Sequence, residues 1–230
     1  RDIRRIRFPM VEHSPGAIRG LEQTVGALHA RGLAVGGNLP HLGGELFESA
    51  WRLRGLERFL LDLAERPSWA HELLDRLTEF ALCNAQILVR AGIDVLCLGD
   101  DVGMPGTMMV SPVAWRRFFG PRIGAIILAA RRMNPDLRVL YHSDGFFEPI
   151  IRGLLELGVN AINPLQPEHM DAARIRPPAV RGFALGTASH GVGAARALQV
   201  HPEAGAYAAL GLGLQVLLAA LLMPLIARLF

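Results

Sequence analysis

His142 and Asp144 stand one residue apart just after the apolar run Leu137–Tyr141. On a strand, residues i and i+2 face the same side, so this spacing brings an imidazole and a carboxylate together. Such a pair binds a divalent metal or works as an acid/base couple; the plainer reading is a hydrogen-bonded structural histidine before an Asp-Gly turn. Asp100 and Asp101 follow a second apolar run, Ile93–Gly99. Adjacent carboxylates at a strand end point in different directions, so at most one faces a pocket. That one would hydrogen-bond a substrate or add to a metal site; the plainer reading is an acid that caps a helix or pairs with an arginine. Asn38, Asn163 and Gln166 close or follow further apolar runs and are candidates to line a substrate mouth. His41 and Glu48, flanking Gly43-Gly44, could lend a loop to the same mouth. Cys83 falls on a helical pattern and Cys97 within a strand, which suits core residues better than thiolate ligands.

Composition removes several chemistries. All 24 basic residues of the 230-residue chain are arginine, so there is no lysine for a Schiff base, for pyridoxal phosphate or for a P-loop. A net charge of +3 is too small to argue for nucleic acid, despite a pI near 9.5. Two cysteines make neither a disulfide framework nor a zinc-knuckle spacing. A reducing cytoplasm is the expected compartment.

The elements that must position these residues alternate. Strands are expected at 32–39, 93–99, 137–141 and 159–163, with a weaker candidate at Gly182–Gly186. Between them, apolar residues at helical spacing predict helices over 47–63 (interrupted by Gly55), 69–89 with Ser68 as its cap, 112–119, 121–133 and 148–157. Strand and helix in alternation with short connections mean a parallel sheet with crossover helices. The polar candidates gather beyond the carboxyl ends of the strands, where such folds bind ligands. No glycine-rich phosphate fingerprint follows any strand, which favours an α/β barrel over a doubly wound sheet.

Several blocks taken in order carry a resemblance: Gly55-Leu56-Glu57, Gly99-Asp100-Asp101, Ser111-Pro112 with Trp115, Tyr141-His142-Ser143-Asp144-Gly145, and Asn163-Pro164-Leu165-Gln166-Pro167-Glu168. Over about residues 32–176 the chain resembles the uroporphyrinogen decarboxylase superfamily, which includes the corrinoid-linked methyltransferases. The resemblance implies an (α/β)8 TIM-type barrel, incomplete in this chain, with its active site at the carboxyl ends of the strands. It looks closer to the methyltransferase-like branch, whose members carry His-x-Cys where this chain has His142-x-Asp144, the cysteine helping to hold zinc. A carboxylate can bind zinc but lacks the soft thiolate character, and the further cysteine ligand of that branch has no counterpart after Cys97. The implied catalytic residues are His142, Asp144 and Asp101, with Asp100, Asn163, Gln166 and Asn38 toward substrate. His142 and Asp144 are the implied metal ligands. Zinc and a corrinoid on a partner protein are the implied cofactors for methyl transfer; decarboxylation in porphyrin synthesis, the alternative activity, would need none. The expected partners are a small-molecule substrate, the corrinoid protein and a second copy in a homodimer.

The chain is not uniform. Residues 1–181 read as a partial barrel, and the opening run Arg1–Arg7 reads as the continuation of a longer sequence. Residues 182–230 read as a divergent apolar tail, helical or foreign to the fold. Ala204–Ala227 is 24 consecutive uncharged residues. That is long enough for a bilayer core of ~30 Å, so a membrane segment competes with a buried helix. A catalytically silent barrel fragment is the remaining reading.

Overall fold

The structure is a computed structural model that describes residues 15–166, 168–170, 195, 198–199 and 202–211. The candidate strand Gly182–Gly186, the run Arg1–Arg7 and most of the apolar tail lie outside the described residues. The chain divides into two units, at Asn163/Pro164.

In the first unit a helix α1 (Pro15–His29) precedes the strand β1 (Gly36–Asn38), and helices α2 (Phe47–Arg54), α3 (Leu56–Glu65) and α4 (Pro67–Arg90) follow it. Next come β2 (Val95–Gly99), a small hairpin β3 (Gly103–Met104) and β4 (Thr107–Met108), and helices α5 (Pro112–Phe118) and α6 (Gly120–Met133). The unit closes with β5 (Arg138–His142), α7 (Glu148–Glu156) and β6 (Ala161–Asn163). The expected helix over 47–63 is two helices, parted at Gly55 with φ 89°. Ser68 is not the cap of α4: the helix starts at Pro67, whose fixed φ and missing N–H suit a first turn, and Arg66 holds the cap position without a side-chain bond. Ser111 does cap α5, accepting from Ala114 N at 3.1 Å.

Strands β1, β2, β5 and β6 form one parallel sheet, in that order. Each strand lies beside its predecessor in the sheet, with no reversal of order. A doubly wound sheet has such a reversal; this is instead the winding of an α/β barrel, with four parallel strands among the described residues. The fold is α/β, an incomplete TIM-barrel-like arrangement.

The two faces of the sheet differ. Leu96, Leu98, Val139 and Tyr141 are buried on one face. The alternating positions Val95, Cys97 and Leu140 are half-buried, while Arg138 and His142 are exposed. The buried face belongs to a core shared with Phe47, Phe59, Trp115, Phe119 and Phe147. Phe47 lies edge-on to Phe119, with centroids 5.8 Å apart. Such aromatic pairs add about 1 kcal/mol beyond area burial. The less covered face corresponds to the inside of a barrel.

In the second unit, 202–211 is helical. No helix among the described residues is long and apolar enough to cross a membrane.

Candidate functional site

The strand period sorts the candidates. Along β2 and beyond it, Leu96, Leu98 and Asp100 are buried, whereas Cys97, Gly99 and Asp101 are half-buried. Along β5, Val139, Tyr141 and Ser143 are buried, and His142 and Asp144 are exposed. Gly99 pairs in register with His142, and His142 with Asn163. The alternation therefore delivers Asp101, His142 and Asp144 to one side at the carboxyl ends of neighbouring strands, and sends Asp100 and Ser143 to the other.

The three delivered side chains meet. His142 Nε2 lies 3.6 Å from Asp101 Oδ1 and 3.9 Å from Asp144 Oδ2. One ligand atom from each residue lies within 4.8 Å of the other two. The side chains of Asp101, His142 and Asp144 are 35%, 47% and 54% exposed, so a solute can reach all three. Asp144 N donates to Asp101 Oδ1 at 2.8 Å, tying the two carboxylates together through the backbone. His142 Nδ1 is 2.9 Å from Asn163 Oδ1. Room for the imidazole comes from Gly99, where a Cβ would sit 2.9 Å from His142 Cβ.

Beneath this group lies a layer of buried acids. Asp100 is 2% exposed. Its Oδ1 accepts from Leu46 N at 3.3 Å and Glu48 N at 3.0 Å, and its Oδ2 from Leu46 N at 3.1 Å. Asp100 thus satisfies amides at the start of α2, which leaves Asp101 as the carboxylate on the open side. Glu45 Oε2 accepts from Gly99 N at 2.6 Å, and Glu48 Oε2 from Asp101 N at 3.2 Å. Burial, with the Glu48 carboxylate adding repulsion, raises the Asp100 carboxyl to about 7 against the amides that favour its charge. Burial and the neighbouring Asp100 charge raise Glu45 well above the carboxylate range. Glu45 Oε1 is buried without a hydrogen-bond partner. A neutral, protonated carboxyl in this pair is the state that burial favours.

The hairpin β3–β4 fixes Asp144 from the other side. Val102 N donates to Ser143 Oγ at 3.2 Å, and Phe146 N to Met104 O at 3.0 Å. Gly103 is pressed on the Asp144–Phe146 backbone: a Cβ there would sit 2.6 Å from Phe146 N and nearer still to Asp144 O.

The other sequence candidates are dispersed. Asn38 is exposed at the end of β1, in register with Cys97. Gln166 lies in the second unit. His41 is exposed, while Glu48 is buried beneath the acids and joined to Arg52 at 3.4 Å. Cys83 and Cys97 are free thiols, half-buried. Burial raises the Cys97 thiol, the opposite of what a thiolate ligand needs. Glu45, Ser143 and the hairpin were not singled out from the sequence. The Pro105-Gly106 pair is a turn signal that could have marked the hairpin.

Four parallel strands wound in sequence order, with a histidine and two carboxylates grouped past their carboxyl ends, define a barrel-type α/β fold of the kind that carries enzymes. The family model described as uroporphyrinogen decarboxylase (URO-D) matches residues 47–186, and the chain belongs to that family. A second model, the LrgB-like family, matches residues 160–229. No curated protein matches. Among solved structures, a methyltransferase from Methanosarcina mazei is similar in fold, with a TM-score of 0.51 at 20% identity over 64% of this chain. The chain spans 40% of that structure's length.

Proposed function

We propose that the first unit carries the reactive centre of an enzyme of corrinoid-linked methyl transfer to a small acceptor. The observation that carries this reading is the convergence of Asp101, His142 and Asp144 within 4.8 Å at the carboxyl ends of β2 and β5. The fold shared with a methyltransferase supports it.

The donor set fits a divalent cation. Ligand atoms bonded at ~2.1 Å to one tetrahedral ion lie about 3.4 Å apart, and the two separations from His142 Nε2 are 3.6 and 3.9 Å. His142, Asp101 and Asp144 would hold zinc or a harder ion, in keeping with the carboxylate at the position where the methyltransferase-like branch has cysteine. A bound cation supplies Lewis acidity that lowers the pKa of an acceptor hydroxyl or thiol. The chain's own residues do the rest. Asp144 N–H donates to Asp101 Oδ1, the oxygen that faces His142 Nε2, and so fixes that oxygen beside the imidazole. Without a cation, His142 Nε2 can take the acceptor's proton while Asp101 and Asp144 stabilise the imidazolium. Asn38, with Asn163 beside His142, offers polar contacts to an acceptor on the same face. The proposed partners are that small acceptor, a corrinoid-bearing protein and a second copy of the chain, in the cytoplasm.

Decarboxylation is the second reading, favoured by the description of the matching family and by a half-exposed Asp101 able to complement a protonated pyrrole. We further propose that residues 182–230 belong to a module distinct from the barrel portion; the LrgB-like match over 160–229 and the break at Asn163/Pro164 support a second module, with a start that falls before residue 182 and inside the URO-D match.

The test is titration of the purified chain with Zn²⁺, Co²⁺ and Mn²⁺, alongside Asp101→Ala, His142→Ala and Asp144→Ala. Consumption of free methylcobalamin with thiol and hydroxyl acceptors is then followed by visible absorbance. Cation binding lost in all three variants, with turnover lost in His142→Ala, is the expected result. Turnover indifferent to His142 would overturn the assignment, and release of carbon dioxide from uroporphyrinogen would favour the second reading.

A further inference from the structure

We infer that Asn163 is a positioning residue that places the working lone pair of His142 on Nε2. Its Oδ1 faces His142 Nδ1 at 2.9 Å, while Nε2 faces Asp101 and Asp144. With Oδ1 turned to the ring the amide accepts, so Nδ1 carries the proton and the neutral imidazole keeps its lone pair on Nε2; the reverse amide orientation, with Nδ2 donating, would put the proton on Nε2. Free imidazole side chains favour the opposite tautomer, with the proton on Nε2. The asparagine thus reverses an intrinsic preference at the atom that points to the two carboxylates.

The backbone makes Asn163 suitable for this. It ends β6 in register with His142, and its carbonyl accepts from Ser143 N at 3.0 Å. Its Cα is therefore held by the same ladder that holds the imidazole, and the side chain spans the gap between adjacent strands. Charge gives a second reason. Asp101 and Asp144 already put two carboxylates beside Nε2, and a carboxylate at 163 would add a third. A neutral acceptor orients the ring and leaves the lone pair free for a proton or a cation.

The tautomer stands by itself, while its functional consequence rests on the reading of Asp101, His142 and Asp144 as the working centre. The experiment keeps the two apart. In the full chain labelled with ¹⁵N-histidine, long-range ¹H–¹⁵N spectra are recorded above the imidazole titration, with His142 assigned by its disappearance in His142→Gln. A proton on Nδ1 and a pyridine-type Nε2 are expected. In Asn163→Leu the tautomer ratio should move about 3- to 10-fold toward Nε2–H, the effect of one neutral hydrogen bond. Cation affinity, read by Co²⁺ absorption, should fall about 10- to 100-fold in Asn163→Leu, as for other outer partners of ligating histidines. In Asn163→Asp, which retains an oxygen acceptor, it should be no weaker than in the parent chain. A parent spectrum with the proton mainly on Nε2 overturns the inference, whatever the leucine variant does. A leucine variant that folds and binds Co²⁺ as tightly as the parent overturns the functional consequence. A parent chain with the expected tautomer and no cation affinity overturns the metal centre alone.

Discussion

Asp100→Ala would remove the acid whose carboxylate accepts from the amides at the start of α2, and pH tests that role directly. The substitution orphans two buried amides, Leu46 N and Glu48 N, which now donate at 3.0 to 3.3 Å. Each unsatisfied buried donor costs about 1–3 kcal/mol, so the expected loss is about 2–6 kcal/mol where Asp100 is neutral. Protonation need not disturb the cap, because Oδ1 alone reaches both amides and a proton can sit on Oδ2. The folded carboxyl is raised to about 7 from 3.8. Between those values the folded state binds the extra proton, so this contribution to stability is complete below pH 4 and is lost as pH rises through 7. Three pH units correspond to on the order of 4 kcal/mol, an upper bound because Glu45 shares the charge. Urea unfolding followed by tryptophan fluorescence should therefore show Asp100→Ala costing several kcal/mol at pH 4 and much less at pH 8. A cost that is equal at the two pH values, or larger at pH 8, would refute the reasoning.

Further outcomes follow from the same geometry. Asp144→Ala, at a side chain 54% exposed, should shift stability by no more than ~0.5 kcal/mol while abolishing tight Co²⁺ binding, so melting and titration should separate cleanly. Gly103→Ala forces a methyl against backbone that has no rotamer to change; about 3 kcal/mol of destabilisation is expected, with weakened Co²⁺ binding as Asp144 moves. An unchanged melting curve would show that the hairpin does not grip the 144–146 loop. Ser111→Ala should cost ~1 kcal/mol and Ser111→Gly a few tenths, measured by urea unfolding, since the cap accepts a single amide at 3.1 Å.

The sequence made some of this site legible and hid the rest for definite reasons. The i, i+2 spacing of His142 and Asp144 foretold a shared face, because strand alternation is local. The choice between Asp100 and Asp101 was not local: it depends on which face of β2 the helices cover, and so both had stayed candidates. The pairing of His142 with Asn163 joins residues 21 apart and is set by the register of β5 and β6. Two-residue strands are too short to leave a periodic pattern, so β3 and β4 went unread. Glycines at 20 and 26 similarly masked α1. The burial of Glu45 and Glu48 runs against their type, and nothing short of the packed loop reveals it. The parallel sheet with crossover helices, by contrast, was readable from the order of strands and helices, and the lack of a glycine-rich phosphate fingerprint favoured a barrel over a doubly wound sheet.

The two neighbouring aspartates also constrain how this chain can change. Their opposite duties depend on parity along a strand, counted from Leu96. Substitution can alter either one separately. Deleting Gly99, or inserting a single residue between Leu98 and Asp100, would exchange them, turning the outward acid into the core and the cap into the solvent. The segment should therefore tolerate altered side chains far better than altered length, and any length change that survives should come in twos.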